Sequence, residues 1–171
     1  MESPKVIDNF LPKEKFSKFK NYIMGEYFPW YYNNFTLHPE DKLGLYQFGY
    51  TFYNHQDGEN HNIPDFFVDF FVEEFFSRLS IKNIKELVRI KANLNPKTVE
   101  NINTGFHIDY PNITTSVFYL NTNNGGTRFK DWGFVKSVSN RMVIFDSNSS
   151  HSGVTCTDEN RRVVINFNYT K

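Results

Sequence analysis

The chain has 171 residues, with 19 basic and 19 acidic side chains and a formal net charge of zero. A length close to the roughly 150 residues of a typical domain predicts one domain over 1–171, and the charge balance excludes the basic excess of a nucleic-acid binder. The single cysteine, Cys156, excludes an internal disulfide and fits a reducing, cytoplasmic setting.

The opening residues MESPKVIDNF lack a basic end followed by an apolar run, so no secretory leader is expected. No stretch reaches the ~20 apolar residues of a membrane span. The richest, 66–76, is broken by Asp69, Glu73 and Glu74.

In chain order, the N-terminal third reads as mostly helical. Phe16, Phe19, Ile23 and Tyr27 recur at helical steps and form one apolar stripe. Pro12 suits the start of that helix, and Gly25 and Pro29 lie near its end. Leu45 to Tyr53 is aromatic-rich and strand-like. Residues 54–63 are polar, contain Gly58 and read as a loop. A second helix is expected from Pro64 to Leu79. Asp65, Asp69, Glu73 and Ser77 give it a polar stripe and phenylalanines cover the rest. Such a helix packs into the core, or against a second copy of the chain.

From Leu87 onward, short β-rich runs alternate with turn signals: 87–95, 103–107, 114–120, 126–129, 133–137, 142–146 and 162–169. The predicted architecture is mainly β: helical support over about 1–86 and a sandwich or barrel over about 87–171.

Three pieces of the β half carry chemistry together. In His107-Ile108-Asp109 the outer residues share a face on a strand. His151 follows the strand that ends Phe145-Asp146, and Arg161-Arg162 opens the last strand. Two histidines and one carboxylate with open positions opposite form the facial triad of non-haem Fe(II) oxygenases. A chelating 2-oxoacid and dioxygen would take the open positions. A strand-borne arginine would pair with the far carboxylate of the oxoacid. A metal-dependent hydrolase or isomerase on a cupin-like barrel would use the same ligands without the arginine. A non-catalytic barrel serving as a binding module is the third reading.

The stretch from Leu94 to Tyr169 resembles the double-stranded β-helix (jelly-roll, cupin-like) of the Fe(II)/2-oxoglutarate oxygenase superfamily, and its prolyl-4-hydroxylase-like branch in particular. The matching text is HIDYPN (107–112), VFYLN (117–121), GGTRF (125–129), NRMVIFDS (140–147), HSGVT (151–155) and RRVVINFNY (161–169). The resemblance implies that His107, Asp109 and His151 ligate iron, with 2-oxoglutarate and O2 as cosubstrates and ascorbate as a candidate accessory reductant. It implies that Arg162 binds the distal carboxylate of 2-oxoglutarate, with Arg161 as the alternative by one register, since only one of the pair can point inward. Tyr119 matches a tyrosine that holds the same carboxylate, or is a core aromatic.

Asn95 stands where many relatives carry a tyrosine. It can still donate a hydrogen bond to the oxoacid. Lys91 and Asn93 share its strand parity, and Asn166 shares that of Arg162. His38, His55 and His61 match nothing in the motif. The carboxylate at Asp109 favours hydroxylation over halogenation. The second arginine of nucleic-acid demethylases, six residues after the first, is absent. The implied substrate is a peptidyl proline, with another peptide, a protein or a small molecule as alternatives.

Overall fold

The computed structural model describes residues 2–40, 43–55, 70–82 and 86–170. The strands are β1 (Lys5–Ile7), β2 (Tyr31–Asn33), β3 (Gln47–Asn54), β4 (Leu87–Pro96), β5 (Thr114–Tyr119), β6 (Gly126–Phe129), β7 (Gly133–Lys136), β8 (Arg141–Asp146), β9 (His151–Val154) and β10 (Arg161–Tyr169). The helices are α1 (Lys13–Ile23) and α2, which is π-helical over Phe71–Phe76 and α-helical over Ser77–Leu79. Most of the polar loop (56–63, with His61) and the expected first turns of the second helix (64–69, with Asp65 and Asp69) lie outside the described residues.

Two antiparallel sheets face each other. The larger has the order β1-β8-β5-β10-β4-β3-β2 and the smaller β7-β6-β9. This is the double-stranded β-helix that the sequence predicts. The N-terminal third adds β1 and β2 to the large sheet besides β3, the strand expected at 45–53, through the pairing of β1 with β8, β2 with β3 and β3 with β4. β1 and β2 are three-residue edge strands without an alternation long enough to read. The run 103–107 forms no regular strand. It joins the small sheet through two isolated bridges, Asn103 to Val154 and His107 to His151.

Strand parity divides the large sheet into two environments. On one face, Val163, Ile165, Phe167 and Tyr169 of β10 and Ile90, Ala92 and Leu94 of β4 join the buried phenylalanines of the two helices in one core. Phe75 of α2 sits at its centre, with ring centroids 4.8 Å from Phe167, 5.2 Å from Phe118 and 5.6 Å from Phe19. Such pairs add about 0.5–1.5 kcal/mol each beyond area burial. The expected stripe of α1 holds for Phe16, Phe19 and Ile23, but Tyr27 is 95 % exposed. The helix stops at its cap, Met24, so the 3.6-residue phase no longer carries Tyr27 to the core. On the other face of the sheet, Val117, Tyr119, Val143, Phe145 and Val164 pack against Phe129 and Val135 of the small sheet.

Helix α2 ends in a Schellman arrangement: the Ile81 N–H donates to Phe76 O (2.8 Å) and the Ser80 N–H to Ser77 O (3.4 Å). Ser80 therefore adopts φ 62°, a left-handed conformation that glycine occupies without strain. Ser80→Gly is expected to stabilise the protein by about 0.5–1 kcal/mol. A urea midpoint that stays put or falls would contradict that strain.

Candidate active site

The two histidines meet because their backbones pair directly. The His107 N–H donates to His151 O and the His151 N–H to His107 O, both at 2.9 Å. Directly opposed residues project to the same face of a sheet, and the ring centroids lie 4.5 Å apart. Each Nδ1 faces a backbone carbonyl two residues earlier: Gly105 O at 3.1 Å for His107 and Ser149 O at 2.9 Å for His151. Donation from Nδ1–H leaves each Nε2 with its lone pair free for a metal. Gly105 has φ 108°, which a side chain would strain, and that turn aims its carbonyl at His107.

Asp109 lies beyond the bridged residue, so strand parity alone does not aim it. Its Oδ2 accepts from Thr115 Oγ1 and from Asn168 Nδ2, both at 3.0 Å. Oδ1 is left facing His107 Nε2 at 3.7 Å and Arg89 Nη2 at 3.9 Å. The ligand atoms of His107, Asp109 and His151 fall within 4.8 Å of one another and can hold a metal ion. Burial alone would raise the Asp109 pKa, but His151, Arg89, the Asn168 hydrogen bond and His107 together bring it below its ordinary value. Burial pushes the His151 pKa down against the pull of Asp109. A carboxylate and a neutral imidazole are the protonation states a metal requires.

Asn168 is fully buried, donates also to Thr115 Oγ1 (3.0 Å) and accepts from Arg89 Nε (3.2 Å). Asn168→Ala removes one of the two donors that fix Asp109. It is expected to weaken metal binding by about 10–100-fold, as loss of an outer-shell partner does. Calorimetric titration with Mn(II) reads this, and unchanged affinity would show that Thr115 alone orients the carboxylate.

The triad opens into a cavity of about 330 Å³. Arg162 lines it and is 4 % exposed. Its Nη1 donates to Asn95 Oδ1 at 3.3 Å and its guanidinium lies 5.6 Å from the centroid of the Tyr119 ring. Arg162 Nε has no partner, and Oδ1 of Asn93 and of Asn166, on the same wall, has none either. A buried cation with an orphaned donor suits a carboxylate ligand, so the residues present fit both a metal and an oxoacid.

Arg161 is corrected as a pocket residue. It points to the opposite face, where Nη2 donates to Met24 O (2.8 Å). Tyr119 is fully buried and its hydroxyl donates to Thr127 Oγ1 at 2.6 Å. Thr127, not Tyr119, lines the cavity, and the tyrosine lies behind it in contact with Thr127 and Arg162. Asn95 lines the cavity and donates from Nδ2 to Gln47 Oε1 at 3.4 Å. His38 also lines the cavity, whereas His55 is exposed.

Sequence reading missed Arg89, Thr115 and Asn168. Counting one further step along the parity of Lys91 on β4 and of Asn166 on β10 reaches Arg89 and Asn168. Thr115, on β5, belongs to neither count.

No family model and no curated protein matches the chain by sequence. Solved structures do match in three dimensions. A Trichoplax adhaerens prolyl hydroxylase, in complex with a hypoxia-inducible-factor oxygen degradation domain peptide fragment, is 16 % identical at a TM-score of 0.65, covering 98 % of this chain and 83 % of that one. A Pseudomonas putida prolyl-4-hydroxylase is 12 % identical at 0.62, covering 100 % and 94 %. A 2OG-Fe(II) oxygenase family oxidoreductase from Burkholderia pseudomallei is 10 % identical at 0.71, covering 98 % and 85 %. With its paired sheets and the His107–Asp109–His151 cluster between them, the chain has the fold of the Fe(II)- and 2-oxoglutarate-dependent oxygenases, prolyl hydroxylases among them.

Proposed function

We infer that the protein is an Fe(II)- and 2-oxoglutarate-dependent dioxygenase that hydroxylates an unactivated C–H bond. The observation that carries this is one cavity lined both by a two-histidine, one-carboxylate cluster and by the buried, under-partnered Arg162 guanidinium. His107, Asp109 and His151 would hold the iron, with Thr115 and Asn168 fixing the Asp109 carboxylate. Arg162, steadied by Asn95 and the Tyr119 ring, would hold the distal carboxylate of the oxoacid. Bound iron and 2-oxoglutarate supply the oxidation: one oxygen atom of O2 enters the substrate C–H bond, and the other enters the succinate formed with loss of CO2.

A cupin-like hydrolase or isomerase would not need a buried cation facing the triad, and a binding module would not need Nε2 atoms aimed at one point. Both alternatives are disfavoured. Asn168 stands six residues after Arg162 and serves Asp109, in place of the second arginine of nucleic-acid demethylases. No described helix is long and apolar enough to cross a membrane. The peptide-bound Trichoplax structure supports a peptide or protein substrate, and a peptidyl proline is the first choice. One domain over the whole chain fits the pairing of N-terminal with C-terminal strands. A cytoplasmic setting fits the single, buried, free Cys156. Ascorbate fits as an accessory reductant that keeps the iron ferrous.

The test is anaerobic reconstitution with Fe(II) and 2-oxoglutarate, admission of O2, and mass analysis with prolyl peptides and metabolites. Succinate release together with a product one oxygen atom heavier supports the reading. Loaded protein that never converts 2-oxoglutarate to succinate contradicts it.

A further inference from the structure

The charge of the cavity does not balance once metal and oxoacid are bound. Among the described residues lining it, Arg89, Lys91 and Arg162 are cationic and Asp109 is the only carboxylate. A metal dication would be neutralised by Asp109 and the metal-side carboxylate of the oxoacid. Arg162 would be neutralised by the distal carboxylate. Arg89 and Lys91 then remain without a counter-charge among the described residues that line the cavity, in a protein whose overall charge is zero.

The two cations are neighbours on the cavity face of β4. Lys91 stands opposite Asn166 of β10 and Thr51 of β3, and Arg89 opposite Asn168. Arg89 is held by Asn168 and lies over the Tyr110 ring, 5.2 Å from its centroid. Its 3.9 Å approach to Asp109 is too long for a hydrogen bond, and a carboxylate that ligates metal offsets it less. Burial and the nearby Arg89 charge both push the Lys91 pKa down. The chain also makes room for this lysine: a Cβ at Gly49 would stand 3.1 Å from Lys91 Cε and 3.3 Å from Asn33 Nδ2. A half-buried lysine beside an arginine, with no acid among the described residues to pair it, is unfavourable unless a ligand supplies the charge.

We propose that the substrate of this site carries a carboxylate that pairs with Lys91, with Arg89 beside it. The inference rests on the oxygenase reading and narrows it to acidic substrates: an amino-acid-like acid, or a peptide whose acidic group lies close to the hydroxylated carbon. Lys91 is here a specificity-determining residue, not a residue of the oxidation itself.

The experiment uses protein loaded anaerobically with Fe(II) and 2-oxoglutarate. The probes are N-acetyl amino acids, including N-acetylproline, and their carboxamides, read by perturbation of the iron–oxoacid absorption band. At least one acid is expected to bind on the order of 10–100-fold more tightly than its amide, the range of a hydrogen bond to a charged group. Lys91→Met should bring that ratio close to one while leaving 2-oxoglutarate affinity unchanged. The same variant, without metal or oxoacid, should melt about 2–4 °C higher, because an unpaired charge has been removed.

The proposal is overturned by a panel in which no acid outbinds its amide, or by Lys91→Met that keeps the preference. It is equally overturned by a tenfold loss of 2-oxoglutarate affinity in Lys91→Met, which assigns the lysine to the oxoacid, or by a lower melting temperature, which makes it structural. A wild-type protein that shows no iron–oxoacid band contradicts the oxygenase reading instead, and the metal-free melting comparison still judges Lys91.

Discussion

Arg162→Ala is expected to weaken 2-oxoglutarate binding by about 2–5 kcal/mol, roughly 30- to 4000-fold. Truncating one partner of a buried ion pair leaves the other charge in a poorly solvating site. The two side chains that contact the guanidinium, Asn95 and Tyr119, carry no charge to replace it: Asn95 already bonds Gln47 and the Tyr119 hydroxyl is committed to Thr127. Arg161→Ala is the matched control. It removes a hydrogen bond to Met24 O on the far side of the sheet and is expected to leave oxoacid affinity unchanged. Titration of 2-oxoglutarate into iron-loaded protein gives both affinities. Equal, small effects would mean that neither arginine holds the oxoacid.

His107→Ala and His151→Ala are each expected to lose metal binding by more than the roughly 10–100-fold that follows loss of an outer-shell partner. Each ring supplies one ligand atom of three, and each is pre-set by its own Nδ1 contact to a carbonyl. The fold is expected to survive, because the aromatic core behind the sheet contains none of the three ligands. Circular dichroism of wild type with chelator and of the two variants should therefore agree. Normal metal affinity in the double histidine variant, or collapse of structure on chelation, would contradict this division between core and centre.

The β-rich C-terminal half was legible because period-two alternation and turn residues act locally. The run opening at Arg162 is buried on both sides, yet its polar members Arg162, Asn166 and Asn168 mark the cavity face as clearly as its apolar members mark the core face. The triad was legible for a different reason. His107 and His151 are far apart in sequence, and only the family-like order of motifs announces that they pair.

What stayed hidden was set by tertiary contact. Arg89 and Asn168 obey the parity already in use but carry no motif. Several of the many asparagines stand in for backbone partners. Asn140 Nδ2 donates to Leu11 O while its Oδ1 accepts from the Leu11 N–H, both at 2.9 Å. Asn121 does the same for Arg161 O and the Val163 N–H. These asparagines thus close hydrogen bonds between segments distant in sequence.

The central claim is that one cavity binds iron at the His107–Asp109–His151 end and an oxoacid between that metal and Arg162. Adding 2-oxoglutarate anaerobically to Fe(II)-loaded protein, and recording the visible spectrum, tests it directly. The account predicts a metal-to-ligand absorption band that saturates at one 2-oxoglutarate per chain and is lost in His151→Ala. Oxoacid binding that is equally tight without iron, or iron-loaded protein that develops no band at any 2-oxoglutarate concentration, would contradict it.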